Sequence, residues 1–324
     1  AHGYQALGAN TTAANNTAVG VQALKFNTTG TSNTATGRSA LYSNTTGNNN
    51  TAVGRDALGA YTSSDNTAVG FEALAANTTG NQNAAIGGRA GASITTSPFN
   101  TAVGYNALAT NTTGNGRNTA IGRHALTDLT TGEYNTAVGM NAGEAVTTGQ
   151  HNTIIGGLAG DAMTTAGSNT VMGYAALTND TTGAANTAIG YAALLSNTTG
   201  GQNVAFGANS LESNTTASNN TAVGVGALSA NSIGASNTAI GTQAGSSTSG
   251  AYNNTSIGYL ADSEGTGGNG NITIGYNAQK SAIGSAGQCT LGDSSITNLR
   301  CNDTTISSLS DQRDKTDIID SPYG

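Results

Sequence analysis

Residues 66–82 read N-T-A-V-G-F-E-A-L-A-A-N-T-T-G-N-Q, and near copies of this stretch fill most of the chain. The Asn that opens it recurs sixteen times between Asn16 and Asn271. Thirteen of the fifteen intervals are 17 residues long, one is 16 and one is 18. We number the repeat from this Asn as position 1, so that Gly falls at position 5, Leu at position 9 and N-T-T-G at positions 12–15. The residues at one position of successive repeats form a column.

A unit of 17 residues predicts one turn of a narrow, all-β, parallel solenoid. It is too short for the helix pairs of tetratricopeptide or ankyrin repeats. The T-A-V stretch alternates like a strand, and a second short strand is expected at x-A-L. N-T-T-G predicts the turn, because Asn and Gly tolerate positive φ angles. Sixteen such turns would form a rod roughly 75–80 Å long.

Several columns are nearly invariant, and their residue types indicate what each position must do. Position 5 is Gly in all sixteen copies, which indicates a positive φ angle or no room for a side chain. Position 8 is Ala in fifteen, with Ser210 in the other, so the space is one methyl group wide. The Asn at position 1 is expected to form a ladder of side-chain hydrogen bonds. The two changes of repeat length, near 61–65 and 114–117, fall in the predicted turn.

Two apolar columns suggest that the coil does not stand alone. Position 4 is apolar in fifteen copies, with Thr36 the exception, and position 9 is Leu in ten. A coil filled mainly by Ala and Gly gains little from burial, whereas ordering each residue costs about 1–2 kcal/mol of backbone entropy. If one apolar column fills the coil, the other is free to face identical chains. The residues alone do not determine the number of those chains.

The pattern N-T-A-V-G followed by x-x-A-L resembles the head repeat of trimeric autotransporter adhesins of the YadA type, over residues 3–280. The resemblance implies a left-handed parallel β-roll in which three chains wind about one axis, and hence a homotrimer. The family unit is shorter, and the N-T-T-G loop is the additional part of the repeat here. We therefore expect a repeat domain over residues 1–280.

A different resemblance comes after a capping or linking segment at 281–309. The stretch Ser310-Asp311-Gln312-Arg313-Asp314-Lys315 resembles the opening of the intramolecular chaperone found at the ends of phage tail spikes and fibres, first described in endosialidases. That family trimerises its fibre and then cuts itself off. The resemblance implies cleavage between Leu309 and Ser310, with Ser310 as the nucleophile and Lys315 as its base, and assigns 310–324 to the start of that domain.

The sequence therefore predicts a non-enzymatic, trimeric shaft or distal part of a phage tail fibre or tail spike, located in the virion. Its partners would be a host surface receptor, with glycans among the candidates, and other virion proteins on the N-terminal side. The first alternative is a trimeric adhesin on a cell surface. The second is an ice-binding solenoid, because Thr recurs at position 2 and again in the T-T-G turns; it requires a flat, exposed Thr face.

Tyr recurs at position 6 and forms a candidate surface stripe: Tyr105, Tyr174, Tyr191, Tyr259 and Tyr276. The stripe could bind glycans, or pack between subunits, or form a solvated edge.

The remaining signals predict no cofactor, metal or nucleic acid. His2, His124 and His151 are far apart in the sequence, and a formal net charge of −7 provides no basic surface for nucleic acid. The longest apolar runs are a few residues, too short to insert into a membrane. Cys289 and Cys301 could pair within a chain, pair between chains or stay reduced.

Overall fold

A computed structural model describes residues 1–60, 63–262 and 267–296, and it shows an all-β solenoid of about sixteen turns. Each turn contributes one strand of three residues, and every strand pairs in parallel with the strand of the next turn. The strands are β1 Thr17–Val19, β2 Thr34–Thr36, β3 Thr51–Val53, β4 Thr67–Val69, β5 Ala84–Ile86, β6 Thr101–Val103, β7 Thr119–Ile121, β8 Thr136–Val138, β9 Thr153–Ile155, β10 Thr170–Met172, β11 Thr187–Ile189, β12 Val204–Phe206, β13 Thr221–Val223, β14 Thr238–Ile240, β15 Thr255–Ile257, β16 Ile272–Ile274 and β17 Cys289–Leu291.

The strands stack in register, so each column of the sequence is a column in space. Thr51 pairs with Thr67 across the short repeat, and Thr101 pairs with Thr119 across the long one. The changes of length are therefore absorbed outside the strand, as predicted. The solenoid of 17 residues per turn is confirmed, whereas its handedness and the trimer stay predictions.

The second strand expected at x-A-L is wrong. Positions 6–11 form a series of turns, in which positions 7 and 9 adopt left-handed φ angles, for example 61° at Gln22 and 50° at Leu24. A strand needs extended residues throughout, and these two reversals prevent it. The backbone still bonds from turn to turn there: the Leu24 N–H donates to the Ala40 carbonyl at 2.9 Å.

Gly recurs at two corners of the turn, but only one of them requires it in every turn. At position 5 its φ angle lies between 127° and 140°, and a Cβ atom on Gly139 would lie 2.4 Å from the Gly156 carbonyl oxygen. At position 15 close approach favours Gly, since a Cβ on Gly30 would lie 2.3 Å from the Gly47 oxygen, but other turns accommodate Ser97, Ala166, Ala217 and Ala251 there. Positive φ at position 5 is confirmed, but the Gly of N-T-T-G serves the stacking distance instead.

The interior of the coil is filled by the Ala columns at positions 3 and 8 and the Leu column at position 9, all essentially inaccessible to solvent. Where position 9 is Gly, position 12 supplies the missing bulk: Ile94, Val146 and Met163 in place of the usual Asn, with Thr248 in the fourth case. A Cβ on Gly91 would lie 3.0 Å from the Ile94 Cδ1 atom. In these turns the two positions share one volume, whereas Leu126 and Leu129 fill both positions in the repeat that begins at Asn118.

The Asn ladder at position 1 is confirmed. The Asn50 backbone N–H donates to Asn33 Oδ1 at 2.9 Å, and Asn33 Nδ2 donates to the Gly47 carbonyl oxygen at 2.8 Å. Shorter ladders form along position 12 where Asn recurs in successive turns, as when Asn44 Nδ2 donates to Asn27 Oδ1 at 3.0 Å. These amides satisfy buried backbone groups at the corners, which would otherwise cost about 1–3 kcal/mol each.

Candidate interaction surfaces

The outer face of the strands carries two columns, Thr at position 2 and apolar residues at position 4. The Leu column fills the coil, whereas column 4 is half-buried or exposed in every turn. Its exposed large members are Val19, Val53, Ile86, Ile121, Met172, Phe206, Ile240, Ile274 and Leu291. Of the two apolar columns, column 4 is therefore the one left available for a partner.

The five Tyr residues of the predicted stripe are exposed on column 6, from 48% for Tyr259 to 65% for Tyr276. Their rings are arranged along the rod: Tyr174 stacks on Tyr191 with ring centroids 6.0 Å apart, and Tyr259 stacks on Tyr276 at 5.7 Å. Much of each ring face is thus turned toward the next turn. The five Tyr residues are exposed in the single chain, and the role of the stripe in glycan binding or subunit packing stays a prediction.

A second cluster on the surface was not predicted from the sequence. In column 17, Phe99, Arg117, Tyr134 and His151 occupy four consecutive turns and are all exposed; we call these four residues the stacked patch. Its signal in the sequence is the 18-residue repeat, since Gly114–Arg117 is where the extra residue lies. Column 17 adopts left-handed φ angles, 60° at both Phe99 and Arg117, so its side chains project from a corner.

The structure keeps the three His residues in separate surroundings. His124 Nδ1 lies 3.5 Å from Glu144 Oε1, and its ring lies beside Tyr105. His151 stacks on Tyr134 in the patch. Among the described residues, no three His, Cys, Asp or Glu side chains come close enough together to hold a metal ion.

Two acidic residues lie inside the rod. Asp180 replaces Asn in column 12; its Oδ1 accepts bonds from Asn197 Nδ2 at 2.8 Å and the Gly183 N–H at 3.1 Å, while its Oδ2 is buried without a partner. Burial raises the pKa of Asp180 to about 7. Asp262 replaces Leu in column 9 and forms a buried ion pair with Lys280, at 3.0 Å. Burial raises the pKa of Asp262, and the Lys280 ammonium opposes that shift.

Basic and acidic residues are separated along the rod. Residues 1–124 contain six Lys and Arg against three Asp and Glu, whereas residues 125–279 contain eight Asp and Glu and no Lys or Arg. Arg38, Arg55 and Arg123 share column 6 with the Tyr residues. The guanidinium of Arg55 lies 4.3 Å from the Phe71 ring centroid in the next turn. The N-terminal turns are thus the cationic end of an acidic protein.

The residues predicted to cut the chain, Ser310 and Lys315, lie outside the described residues, as does Cys301. Cys289 begins β17 and is exposed. In the ranges that the structure describes, no helix has the length and apolar character needed to cross a bilayer. A scan against protein-family models and a search of the curated proteins each give no match.

Proposed function

We propose that the chain is a structural fibre protein, a homotrimeric rod that serves surface attachment. The observation that carries the proposal is column 4, an apolar column on the outer strand face of sixteen of the seventeen described strands, with Thr36 in β2 the exception. Soluble monomers rarely expose a continuous apolar surface of this extent. Two further copies of the same chain are the partner that column 4 fits best.

Register favours identical, parallel copies. Because the strands stack without a slip, a parallel copy at the same height presents the same column at every level of the rod. A globular partner would cover only a few turns. Three copies can enclose column 4 around a shared axis, so that each residue gains roughly the 1.5–3 kcal/mol of a fully buried aliphatic side chain at most.

The phage assignment rests on the resemblance of Ser310–Lys315 to the tail-fibre chaperone, and the cellular adhesin remains the alternative. Both are trimeric rods that present a binding surface at a distance. They differ in the domain beyond the rod, because only the phage proposal includes self-cleavage before Ser310. In the natural full-length protein, we expect a cut after Leu309 that Ser310→Ala prevents; an unchanged cut would remove Ser310 from this role.

The mass of the assembled particle tests the trimer. Native mass spectrometry and sedimentation equilibrium of the full chain should give three times the 31.7 kDa chain mass. A stable, well-folded monomer at micromolar concentration contradicts the proposal, since column 4 would then be tolerated in water.

One observation supports ice binding as a second candidate. Thr at position 14 is exposed in nine consecutive turns, from Thr79 to Thr216, at the regular spacing of the stack. The Thr at position 13 instead uses its hydroxyl within the coil, as when Thr147 Oγ1 donates to the Thr164 carbonyl oxygen at 3.1 Å. Thermal hysteresis of the purified protein, abolished by Thr148→Tyr, would support ice binding. Absence of thermal hysteresis in the native protein would contradict ice binding and leave the fibre as the proposed function.

A further inference from the structure

The stacked patch interrupts a column that is otherwise small and polar. Gln82 precedes it and Ser168 comes after it in column 17, and neither is aromatic or charged. The four residues lie on successive turns, so the patch spans three intervals of the stack, about 14 Å. It also coincides with the repeat that is one residue longer than the rest. The residue types of column 17 and the length of the repeat therefore change at the same place.

Arg117 is held at the centre of the patch by two aromatic rings. Its guanidinium carbon lies 5.2 Å from the Phe99 ring centroid and 5.3 Å from that of Tyr134. Tyr134 in turn stacks on His151, with centroids 5.2 Å apart and planes 5° apart. Aromatic contacts of this kind hold a guanidinium by its faces and leave its N–H edge as the open side.

Most of the Arg117 donors remain available for a ligand. Its Nη1 donates to the Asn115 carbonyl oxygen at 3.3 Å, and the ion pairs of the described part of the chain do not include Arg117. A fixed, planar set of N–H donors matches a carboxylate, which can accept two parallel bonds from it.

Glu133 stabilises the extra loop beside the patch and acts as a positioning residue. It accepts hydrogen bonds from the Asn115 backbone N–H at 2.9 Å and from Asn115 Nδ2 at 2.9 and 3.0 Å. These bonds to Asn115, and then the charge of Arg117, lower the pKa of Glu133. The inserted residues are therefore held in one conformation, with the Arg117 backbone at their end.

We propose that the stacked patch binds an acidic glycan, a chain of carboxylated sugars that lies along the rod axis. Arg117 takes a carboxylate through its open edge, and the Tyr134 hydroxyl and the His151 imidazole meet sugar hydroxyls. The exposed parts of the rings pack against the apolar C–H groups of the sugars. The inference deepens the attachment role and rests on the proposed function for the source of the glycan.

The single guanidinium of the patch suits a glycan better than a nucleic acid. Arg117 belongs to the basic turns, whereas His151 lies among turns whose charged residues are acidic as far as residue 279. A nucleic acid needs several phosphate contacts along its length, and Arg117 is the one Lys or Arg residue of the patch. A sugar chain needs fewer charges, because its hydroxyls and C–H groups also contribute.

Calorimetry on the full chain tests the site with three probes: hexagalacturonate, neutral maltohexaose and a hexaglutamate peptide. We expect binding of hexagalacturonate alone, weakened at least tenfold by Arg117→Met, which keeps an apolar stem but removes the guanidinium. Tyr134→Leu, which removes one ring of the sandwich, should weaken it as well. Arg123→Met is the matched control, since Arg123 is an exposed Arg of column 6, and should bind as the native protein does.

Equal binding by Arg117→Met and the native chain, or an equal loss in Arg123→Met, would overturn the site. Binding of hexaglutamate as tightly as hexagalacturonate would assign the patch to acidic peptides and overturn the glycan. The particle mass separates this inference from the fibre proposal. A monomer whose binding depends on Arg117 would support the site and contradict the fibre. A trimer whose binding is unchanged by Arg117→Met would contradict the site alone.

Discussion

The turns before residue 124 and the turns after it share one backbone but present different surfaces. The N-terminal turns are cationic, with Arg38, Arg55 and Arg123 in column 6, whereas the later turns are acidic and carry four of the five Tyr residues of the stripe. Column 4 differs as well. It is Val or Thr in five of the seven strands up to β7, and Ile, Met, Phe or Leu in eight of the ten from β8 on.

This difference separates what the coil requires from what its surface does. The inward columns at positions 3 and 8 hold Ala in most turns from end to end, since every turn must stack on a neighbour of the same geometry. Outward columns vary with position along the rod. We infer that the later turns provide the stronger association between chains, and that the stacked patch, which spans the boundary between the two regions, provides the anionic ligand site. Substitutions made in both regions can separate these two roles.

The largest effect is expected at position 5, and it should be equal in both regions. Gly54→Ala and Gly207→Ala place a Cβ atom 2.3 and 2.5 Å from backbone oxygens of the next turn, at φ angles of 139° for both. Rigid backbone cannot yield, so we expect a loss of more than about 4 kcal/mol in the free energy of unfolding. Thermal melting by far-UV circular dichroism measures it.

Gly88→Ala is the control for position 5. Its Cβ would meet only the edge of the Tyr105 ring, at 3.4 Å, and should cost less than about 1 kcal/mol. Normal stability of Gly54→Ala or Gly207→Ala would show that the stack can open to admit a methyl group.

The next effect should differ between the regions. Phe206→Asp in β12 should abolish the trimer, because it removes a large apolar side chain and buries an unpaired charge at the interface. Val53→Asp in β3 should weaken assembly but leave trimers detectable, since a smaller side chain is lost. Sedimentation equilibrium measures both variants, with the surface change Thr199→Asp as the control. An equal effect at the two sites would remove the division into strong and weak regions.

Asp180 makes the acidic region sensitive to pH. Its folded pKa of about 7 lies above the unfolded value of 3.8, so the folded state binds the proton more tightly. Stability should fall as pH rises from about 4 to 7 and then level off. Asp180→Asn should remove this loss, a gain of up to about 4 kcal/mol at pH 8 that disappears near pH 4.

Chemical denaturation at pH 4, 6 and 8 measures the Asp180→Asn effect. Asp128→Asn, a change of the same type at an exposed position, should leave stability within about 0.5 kcal/mol at each pH. A pH-independent gain in Asp180→Asn would mean that the benefit comes from the amide bonds alone.

The smallest effect tests the volume shared by positions 9 and 12. Gly91→Leu overfills the space beside Ile94, and Ile94→Asn empties it, so each change should cost about 1–3 kcal/mol. The double variant restores the common Leu and Asn pair and should fall within about 1 kcal/mol of the native protein. Urea unfolding of all four proteins measures the coupling; additive losses would mean that the two positions are independent.

The repeat made much of the fold predictable. A period of 17 residues, the alternation in T-A-V and the invariant Gly each have one physical meaning in a stacked coil, and they predict the strand, its register and the Asn ladder. The strand predicted at x-A-L failed because hydrophobic pattern does not reveal φ angles. Leu24 is buried in a left-handed conformation, with a φ angle of 50°, which the conformational preferences of Leu do not predict.

The candidate sites were harder to predict, since sequence columns show which residues are equivalent but not which columns touch. Tyr105 and its equivalents were recognised because they recur in one column. The stacked patch was missed because Phe99, Arg117, Tyr134 and His151 share no residue type.

The amino-acid sequence alone determined the period, the parallel stack and the need for small residues inside it, because each turn must repeat the geometry of the last. Only the tertiary structure decided which apolar column is enclosed, since positions 4 and 9 both read as apolar columns in the sequence. It also decided that Gly91 and Ile94 share one volume and that two rings hold Arg117. Those outcomes depend on distances across the coil and between turns, which the order of residues does not contain.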